Sequence, residues 1–332
     1  MQQYIIRRLI LNVFVLFLVA TMVFLALRVD STNVVAQRAA GCTEAETYGE
    51  CVAIARAELG LNKPIFEQYI DYMADLAQGD LGISWREKTP VLDEIKQRVL
   101  PSIELGILEI MVALMVALPV GIISAIRQDS PIDYVLRFFS IALLGIPVFV
   151  LAIFVIMLSA RYNIFADWLG PHGQYYDFWD PFGWTSAPTD PVQNVKIMLA
   201  PAVIGGLGTG AVIMRFLRSQ MLEVLRQDYV RTAWSKGLRE RVVITRHALK
   251  NALIPVLTLL GILLAGIVSG NVILENLYRI PGIGFYVTSA IAQAPDFPVV
   301  QGVVLVVALS LVFVNIAVDI AYGWLDPRIR YS

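Results

Sequence analysis

Cysteine and histidine are nearly absent from this chain, with two of each in 332 residues. Eight residues separate Cys42 from Cys51, too many for a C-x-x-C redox pair, and no histidine stands nearby to complete a zinc site. His172 alone specifies no metal, so no metal centre is expected. Other signatures of local chemistry are missing too. There is no G-x-x-x-x-G-K-[ST] phosphate loop, no H-E-x-x-H pair, no G-x-S-x-G elbow and no G-x-G-x-x-G turn. ATP, catalytic zinc, a serine nucleophile and a dinucleotide therefore have no recognised local motif here. An enzyme working inside a membrane would need a paired nucleophile and base, and none is visible. We expect no enzymatic activity, no bound cofactor and no nucleic-acid partner.

Charge is scarce as well. Only 16% of residues are charged and 57% are hydrophobic, with a mean hydropathy of +0.67. An ordinary soluble domain carries about 25% charged residues. The apolar residues gather into long runs. At a rise of about 1.5 Å per residue, roughly 20 apolar residues cross the hydrocarbon core. Six stretches meet that length, approximately Leu9 to Leu27, Ile103 to Ile126, Phe138 to Ala160, Met198 to Phe216, Leu253 to Leu274 and Val299 to Tyr322. The expected fold is an all-α polytopic membrane protein with six transmembrane helices.

The few charges are sorted by loop. Between the fourth and fifth spans lie Arg215, Arg218, Arg226, Arg231, Lys236, Arg239, Arg241, Arg246 and Lys250, against Glu223, Asp228 and Glu240. Such an excess of basic residues marks an inner loop. Six spans then place both termini in the cytoplasm, in agreement with Arg7 and Arg8 before the first span and Arg328 and Arg330 after the last. The first run is too long for a signal-peptide core and has no small-residue cleavage pattern after it, so it reads as an uncleaved span. Residues 1–28 are then the N-terminus and first span, and 29–101 an extracytoplasmic insert. Residues 102–332 form a five-helix core with an inner loop at about 217–252.

The insert is acidic and holds both cysteines, for which a local disulfide and two free thiols remain alternatives. A helix is expected over Ala53 to Leu59, stopped by Gly60. A second should follow Asn62 and Pro64, packing through Phe66, Tyr69, Ile70 and Met73, and Gly79-Asp-Leu-Gly82 marks a turn. Together they would make a small cap on the outer face. In the loop 161–197, Trp168, Tyr175, Tyr176, Phe178, Trp179, Phe182 and Trp184 suit either a membrane interface or a partner's docking face.

Three acids fall inside the spans: Glu104, Glu109 and Asp319. A carboxylate in lipid is costly, so each is a functional candidate by default. Glu104 and Asp319 lie near span ends. Glu109 sits deeper, with no basic partner identifiable from sequence. A cavity-lining role, proton coupling and substrate contact all stay open. Gly205, Gly206, Gly208 and Gly210 in the fourth span, and Gly261, Gly266 and Gly270 in the fifth, would let helices approach closely.

In the basic loop, Met221 to Lys236 has helical periodicity, with Met221, Leu222, Leu225, Tyr229 and Ala233 near one face. Gly237 is placed to end it in a left-handed cap. A second helix from about Leu238 carries Val242, Val243, Leu249 and Leu253 toward the membrane. Two short helices joined at Gly237 form a knob suited to a groove in a soluble partner, conveying rigid-body motion to the spans.

These residues carry a family resemblance. Arg231-Thr-Ala-Trp-Ser-Lys-Gly237 with His247-Ala-Leu-Lys-Asn-Ala-Leu-Ile-Pro255 resembles the coupling loop of ABC importer permeases, in the variant of dipeptide and oligopeptide systems. Tyr4-Ile-Ile-Arg-Arg-Leu, Leu59-Gly-Leu-Asn-Lys-Pro64, Gly79-Asp-Leu-Gly82, Glu275 with Ile280-Pro-Gly-Ile-Gly284, Asp296-Phe-Pro-Val-Val-Gln-Gly302 and Leu325-Asp-Pro-Arg-Ile-Arg330 extend the likeness over nearly the whole chain. All are similar to the B-type permease subunit. Where the general motif begins Glu-Ala-Ala, this chain has Arg231-Thr232-Ala233, keeping Ala233 and Gly237.

The resemblance implies a type I ABC importer in a prokaryotic inner membrane. Its parts would be this chain, a second, C-type permease, two cytoplasmic ATPases that hold ATP and Mg, and an extracytoplasmic solute-binding protein. Asp228, Tyr229, Arg231, Ala233, Lys236, Gly237 and His247 would couple to the ATPase. Glu275, Pro281, Gly282, Gly284 and Asp296, in a loop from Tyr278 to Pro298 and just before it, would form an outer gate or a binding-protein contact, unless that loop is a plain connection. The substrate class implied is di- or oligopeptides, among relatives that include nickel, glutathione and oligosaccharide permeases. The rival from another class is a proton-coupled secondary transporter working through Glu109 or Asp319.

Overall fold

The computed structural model describes residues 2–28, 31–40, 47–162, 189–292 and 295–325. Cys42, the aromatic loop with His172, and the Asp326-Pro-Arg328 terminus fall outside them, as does the side chain of Asp319. Two compact units divide the chain: Met1–Val99 with Ile283–Ser332, and Leu100–Gly282.

The first unit is built on two long apolar helices that pack together, α1 (Gln2–Arg28) and, last in the chain, Phe297–Leu325. Helix α1 contains neither glycine nor proline, whereas the last helix has Pro298 and Gly302 near its start, and α1 presents Ile10, Val13, Phe14 and Met22 outward, as a lipid-facing helix does. Between them in sequence comes the insert, with α2 (Thr32–Ala40), α3 (Tyr48–Glu58) and α4 (Ile65–Ala77). Helix α2 adds to the two expected helices and follows Ser31, whose carbonyl accepts from the Val35 amide at 3.1 Å. Helix α3 begins at Tyr48, before the expected Ala53, because Thr47 and Glu50 close a reciprocal capping box. It ends at Gly60, which takes φ +66°. Val34, Val35, Ala39, Cys51, Ala55 and Leu59 bury together with Phe297. Cys51 is disulfide-bonded.

Helix α4 packs differently from the expected stripe. Tyr69 and Tyr72 lie against Phe24, with centroids 5.3 and 5.4 Å away, and the Tyr69 hydroxyl meets that of Thr21 at 2.9 Å. Burial against Phe24 pushes the Tyr72 phenol up to about 12. Phe66 and Ile70 stay exposed, because the contact turns on Tyr69, Tyr72, Met73 and Leu76. A further core joins Val91, Ile95, Ile283, Tyr286, Ala290, Val299 and Val303.

The second unit starts within α5 (Val91–Ile126), whose first turns belong to the other unit. The expected third span, Phe138 to Ala160, is not one helix. It is α6 (Pro131–Gly145) and α7 (Val148–Tyr162), bent by 95°. Pro147 is the cause, since the residue before a proline is driven to extended backbone and Ile146 sits at φ −91°, ψ 119°. The fourth span is longer than expected, α8 (Pro191–Leu225), started by Asp190, whose carboxylate accepts from the Gln193 amide at 3.0 Å. Five described helices are long and apolar enough to cross a membrane, six crossings if the bent pair counts as one.

Helix α8 meets α5 through glycine. A Cβ on Gly206 would lie 2.7 Å from the Glu109 carbonyl oxygen, and one on Gly210 would lie 3.2 Å from that of Ala113. Gly208 faces open space and takes no part in this seam. Near the far end of α8, Ala113, Ala117, Ile213, Leu217, Met221, Ala252 and Val256 form the core.

Candidate functional site

The basic segment folds as a knob, though its first helix is not continuous from Met221 to Lys236. Helix α8 stops at Leu225, Gln227 turns extended (φ −72°, ψ 148°), and α9 (Asp228–Ser235) begins afresh. Gly237 follows at φ +76° with nothing near a prospective Cβ, so its role there is backbone conformation alone. The chain then re-enters helix as α10 (Glu240–Val242), π-helical turns over Val243–Leu249, and α11 (Lys250–Gly266). These are one continuous rod. Pro255 within it lacks the N–H that the Asn251 carbonyl would have received.

Helix α9 is held to this rod by few contacts. Val230 and Ala233 bury against Val243, with Val224 and Leu225 beside them. The Tyr229 hydroxyl accepts from the Asn251 amide nitrogen at 2.6 Å and donates to the His247 carbonyl at 3.3 Å. His247 thus enters through its backbone. The outward face carries Trp234, Leu238, Lys236 and the loose pair Asp228 and Arg231, 3.6 Å apart, with side chains 97% and 72% exposed. The expected coupling residues are thereby divided: Ala233 packs, Tyr229 ties, Gly237 turns, and Asp228, Arg231 and Lys236 face outward.

At the other end of α11 the expected fifth span does not run on to Leu274. It ends at Gly266 and passes through a 3-10 turn, Ile267–Ser269. Gly270 breaks it at φ +71°, and α12 (Val272–Leu277) starts with Asn271 as its cap. Gly270 therefore serves the break rather than close packing of the helix, and Gly266 has nothing near a prospective Cβ. The break borders a cavity of about 340 Å³ with Ser102, Glu109, Thr209 and Asn271 on its wall. Asn271 donates from Nδ2 to Oε1 of Glu109 at 3.1 Å. Sequence reasoning singled out Glu109 but neither Asn271 nor Thr209. The Ser269-Gly270-Asn271 run, a turn-forming triplet inside an apolar stretch, was the available signal.

The expected gate residues are enclosed. Glu275 is fully buried, and its Oε1 accepts from the Ser102 hydroxyl at 2.8 Å. Gly282 leaves room for this pair, since a side chain there would strike both. Pro281 beside it is partly buried. In the other unit, Gly284 is buried in the helix Ile283–Ala292 (α13). Asp296 precedes α14 (Phe297–Leu325) and accepts from the Ser84 hydroxyl at 2.7 Å and the amides of Trp85 and Arg86 at 3.2 and 3.0 Å. Both carboxylates fix loops in place.

Residues 117–331 match the family of binding-protein-dependent transport system inner membrane components, and residues 1–105 match the N-terminal region of such membrane components. The chain belongs to this family. It is the membrane-spanning permease subunit of an ABC importer, a multi-pass inner-membrane protein and not an enzyme. Among its relatives, the dipeptide transport system permease protein DppB of Alkalihalophilus pseudofirmus is 37% identical over 85% of this chain and 86% of its own. DppB of Escherichia coli K12 is 36% identical over 83% and 84%. The probable peptide ABC transporter permease y4tP of Sinorhizobium fredii is 35% identical over 99% of both.

One feature of the permease escaped the sequence entirely. Asp133 on α6 is fully buried, accepting from Arg218 of α8 at 2.8 and 3.0 Å and from the Ser124 hydroxyl of α5. Three helices meet at one ion pair. Arg218 had counted only as loop charge, and no spacing could have joined residues so far apart in the chain.

Proposed function

We propose that this permease supplies half of a pathway for di- or oligopeptides, beside a C-type permease. Two cytoplasmic ATPases would hold ATP and Mg, and a solute-binding protein would deliver substrate from outside. Both termini and the knob then face the cytoplasm, as the positive charge of residues 215–250 requires. Names of relatives support the peptide class. The observation that carries the coupling role is the build of α9: an exposed charged face backed by a small apolar seam on a rod that continues into a span. A push on Trp234 or Arg231 passes through Val230, Ala233 and Tyr229 to Val243 and His247, and so to α11. Nucleotide can drive the cycle only by its different affinity for two states, and this seam transmits that difference.

On the outer side, the Glu275–Ser102 pair with Pro281 and Gly282, and separately Gly284 and the Asp296 turn, hold the loops that would meet the binding protein or form an outer gate. The disulfide of Cys51 would close on Cys42, the only other cysteine, stapling the cap.

The test is gentle solubilisation of the tagged permease from its native membrane, mass spectrometry of what co-purifies, and uptake of labelled dipeptide by the recovered complex in proteoliposomes. An ATPase and a second permease should be recovered, with uptake requiring ATP. A homo-oligomer that moves solute without ATP would overturn this reading in favour of a proton-coupled transporter.

A further inference from the structure

Glu109 stands on α5 inside its apolar run, six residues past Ile103 and 17 before the last residue of the helix. At that depth a carboxylate needs a reason to be there. Structural use does not supply one. No ion pair reaches Glu109 among the described residues, and no lysine, arginine or histidine lines the cavity. Among the described residues its side-chain hydrogen bond comes from Asn271, a neutral amide that fixes Oε1 but brings no charge. The buried Asp133 is held differently, by an arginine and a hydroxyl, while the buried Glu275 and Asp296 take hydroxyl and amide donors and fix loops rather than border this cavity.

The surroundings are arranged around the carboxylate. Gly205 of α8 faces it: a Cβ there would fall 2.6 Å from its carboxyl carbon and 2.7 and 2.9 Å from its two oxygens. The helix break at Gly270 brings Asn271 to the same place, and irregular backbone at membrane depth is tolerated where it lines a cavity. The cavity volume, about 340 Å³, falls within the span of small-molecule sites, roughly 300–1,000 Å³. Ile110 and Leu263 give it an apolar wall, while Thr209 and Asn271 add neutral polar groups.

From this geometry, and resting on the peptide reading above, we infer that the cavity is a substrate station in which the Glu109 carboxylate receives a primary ammonium group, the free amino end of a peptide. Asn271 and Gly205 are positioning residues: one holds the carboxylate by a hydrogen bond, the other leaves the space it occupies. The apolar wall takes the adjoining side chain.

The experiment uses the complete transporter in proteoliposomes, with Ala-Ala delivered by its binding protein. Glu109→Gln keeps shape and the bond from Asn271 but removes the charge. Maximal uptake should fall about tenfold, the loss of one charge-assisted hydrogen bond, with the concentration of loaded binding protein for half-maximal rate unchanged. Gly205→Ala, which keeps the charge and displaces the carboxylate, should show the same pattern, and Glu109→Asp should recover part of the rate. Independently of any variant's assembly, a water-soluble carbodiimide with glycine ethyl ester should modify Glu109 in the wild-type complex, and Ala-Ala should slow that modification. Wild-type uptake in Glu109→Gln, or labelling that Ala-Ala does not slow, overturns this assignment alone. Wild-type uptake that collapses with a protonophore assigns Glu109 to a proton path and also overturns it. A wild-type complex that moves no Ala-Ala sinks the peptide reading, and this assignment with it.

Discussion

The α5–α8 seam and the α9 knob lie in the same unit and are made of opposite materials. In the seam, Gly206 and Gly210 bring one backbone onto another, and Arg218 with Asp133 and Ser124 closes its end in a buried, multiply bonded cluster. The knob rests on two small buried side chains and one tyrosine hydroxyl, and its ion pair is open to solvent. Contacts of the first kind tolerate little displacement, because packed backbone and buried charge have few alternative arrangements. The second kind can be re-made at each engagement with a partner. A machine that must move as rigid pieces needs the former inside a piece and the latter at its surface.

The largest effect should come from Asp133→Ala, which leaves Arg218 buried without its partner, a change that costs about 3–5 kcal/mol. Thermal unfolding in detergent should show this as loss of folded permease at temperatures the parent withstands. A variant as stable as its parent would erase the contrast between seam and knob. Gly206→Val comes next. Its side chain meets the Glu109 carbonyl and Val112 Cβ, both on α5, and overpacking of this sort costs about 1–3 kcal/mol, read from the same melts.

At the knob, stability and function should separate. Gly237→Val places a β-branched residue at positive φ, a strain of about 1–2 kcal/mol confined to the turn. The melting point should hardly move while solute transported per ATP falls; an unchanged ratio would show that α9 is not the coupling element. Smallest for stability is Arg231→Glu, since an exposed pair is worth about 0–1 kcal/mol. Its effect should appear as weaker co-purification of the ATPase.

The spans were legible because a bilayer demands long apolar runs, and Gly60, Gly79 and Gly237 were legible because positive φ selects glycine. What escaped depended on local competition or on distance. Pro147 divides the third run although its apolar content never lapses, so hydropathy alone joined α6 to α7. Gln227 interrupts a periodic stretch by backbone turn chemistry, without a glycine or proline to announce it. Gly270 was visible as a small residue, but only its φ tells a break from a close approach. Glu109 could be picked out by its cost in lipid, whereas its setting of Gly205 and Asn271 is drawn from helices nearly 100 and more than 160 positions away.

Gly205 and Glu109 also bear on how this chain can change over generations. An alanine at 205 would expel the carboxylate, while a shorter residue at 109 would remove what the missing side chain makes room for. Neither position can drift freely while the other stands. The two amount to one heritable unit split between distant codons, and descendants should retain both or replace both.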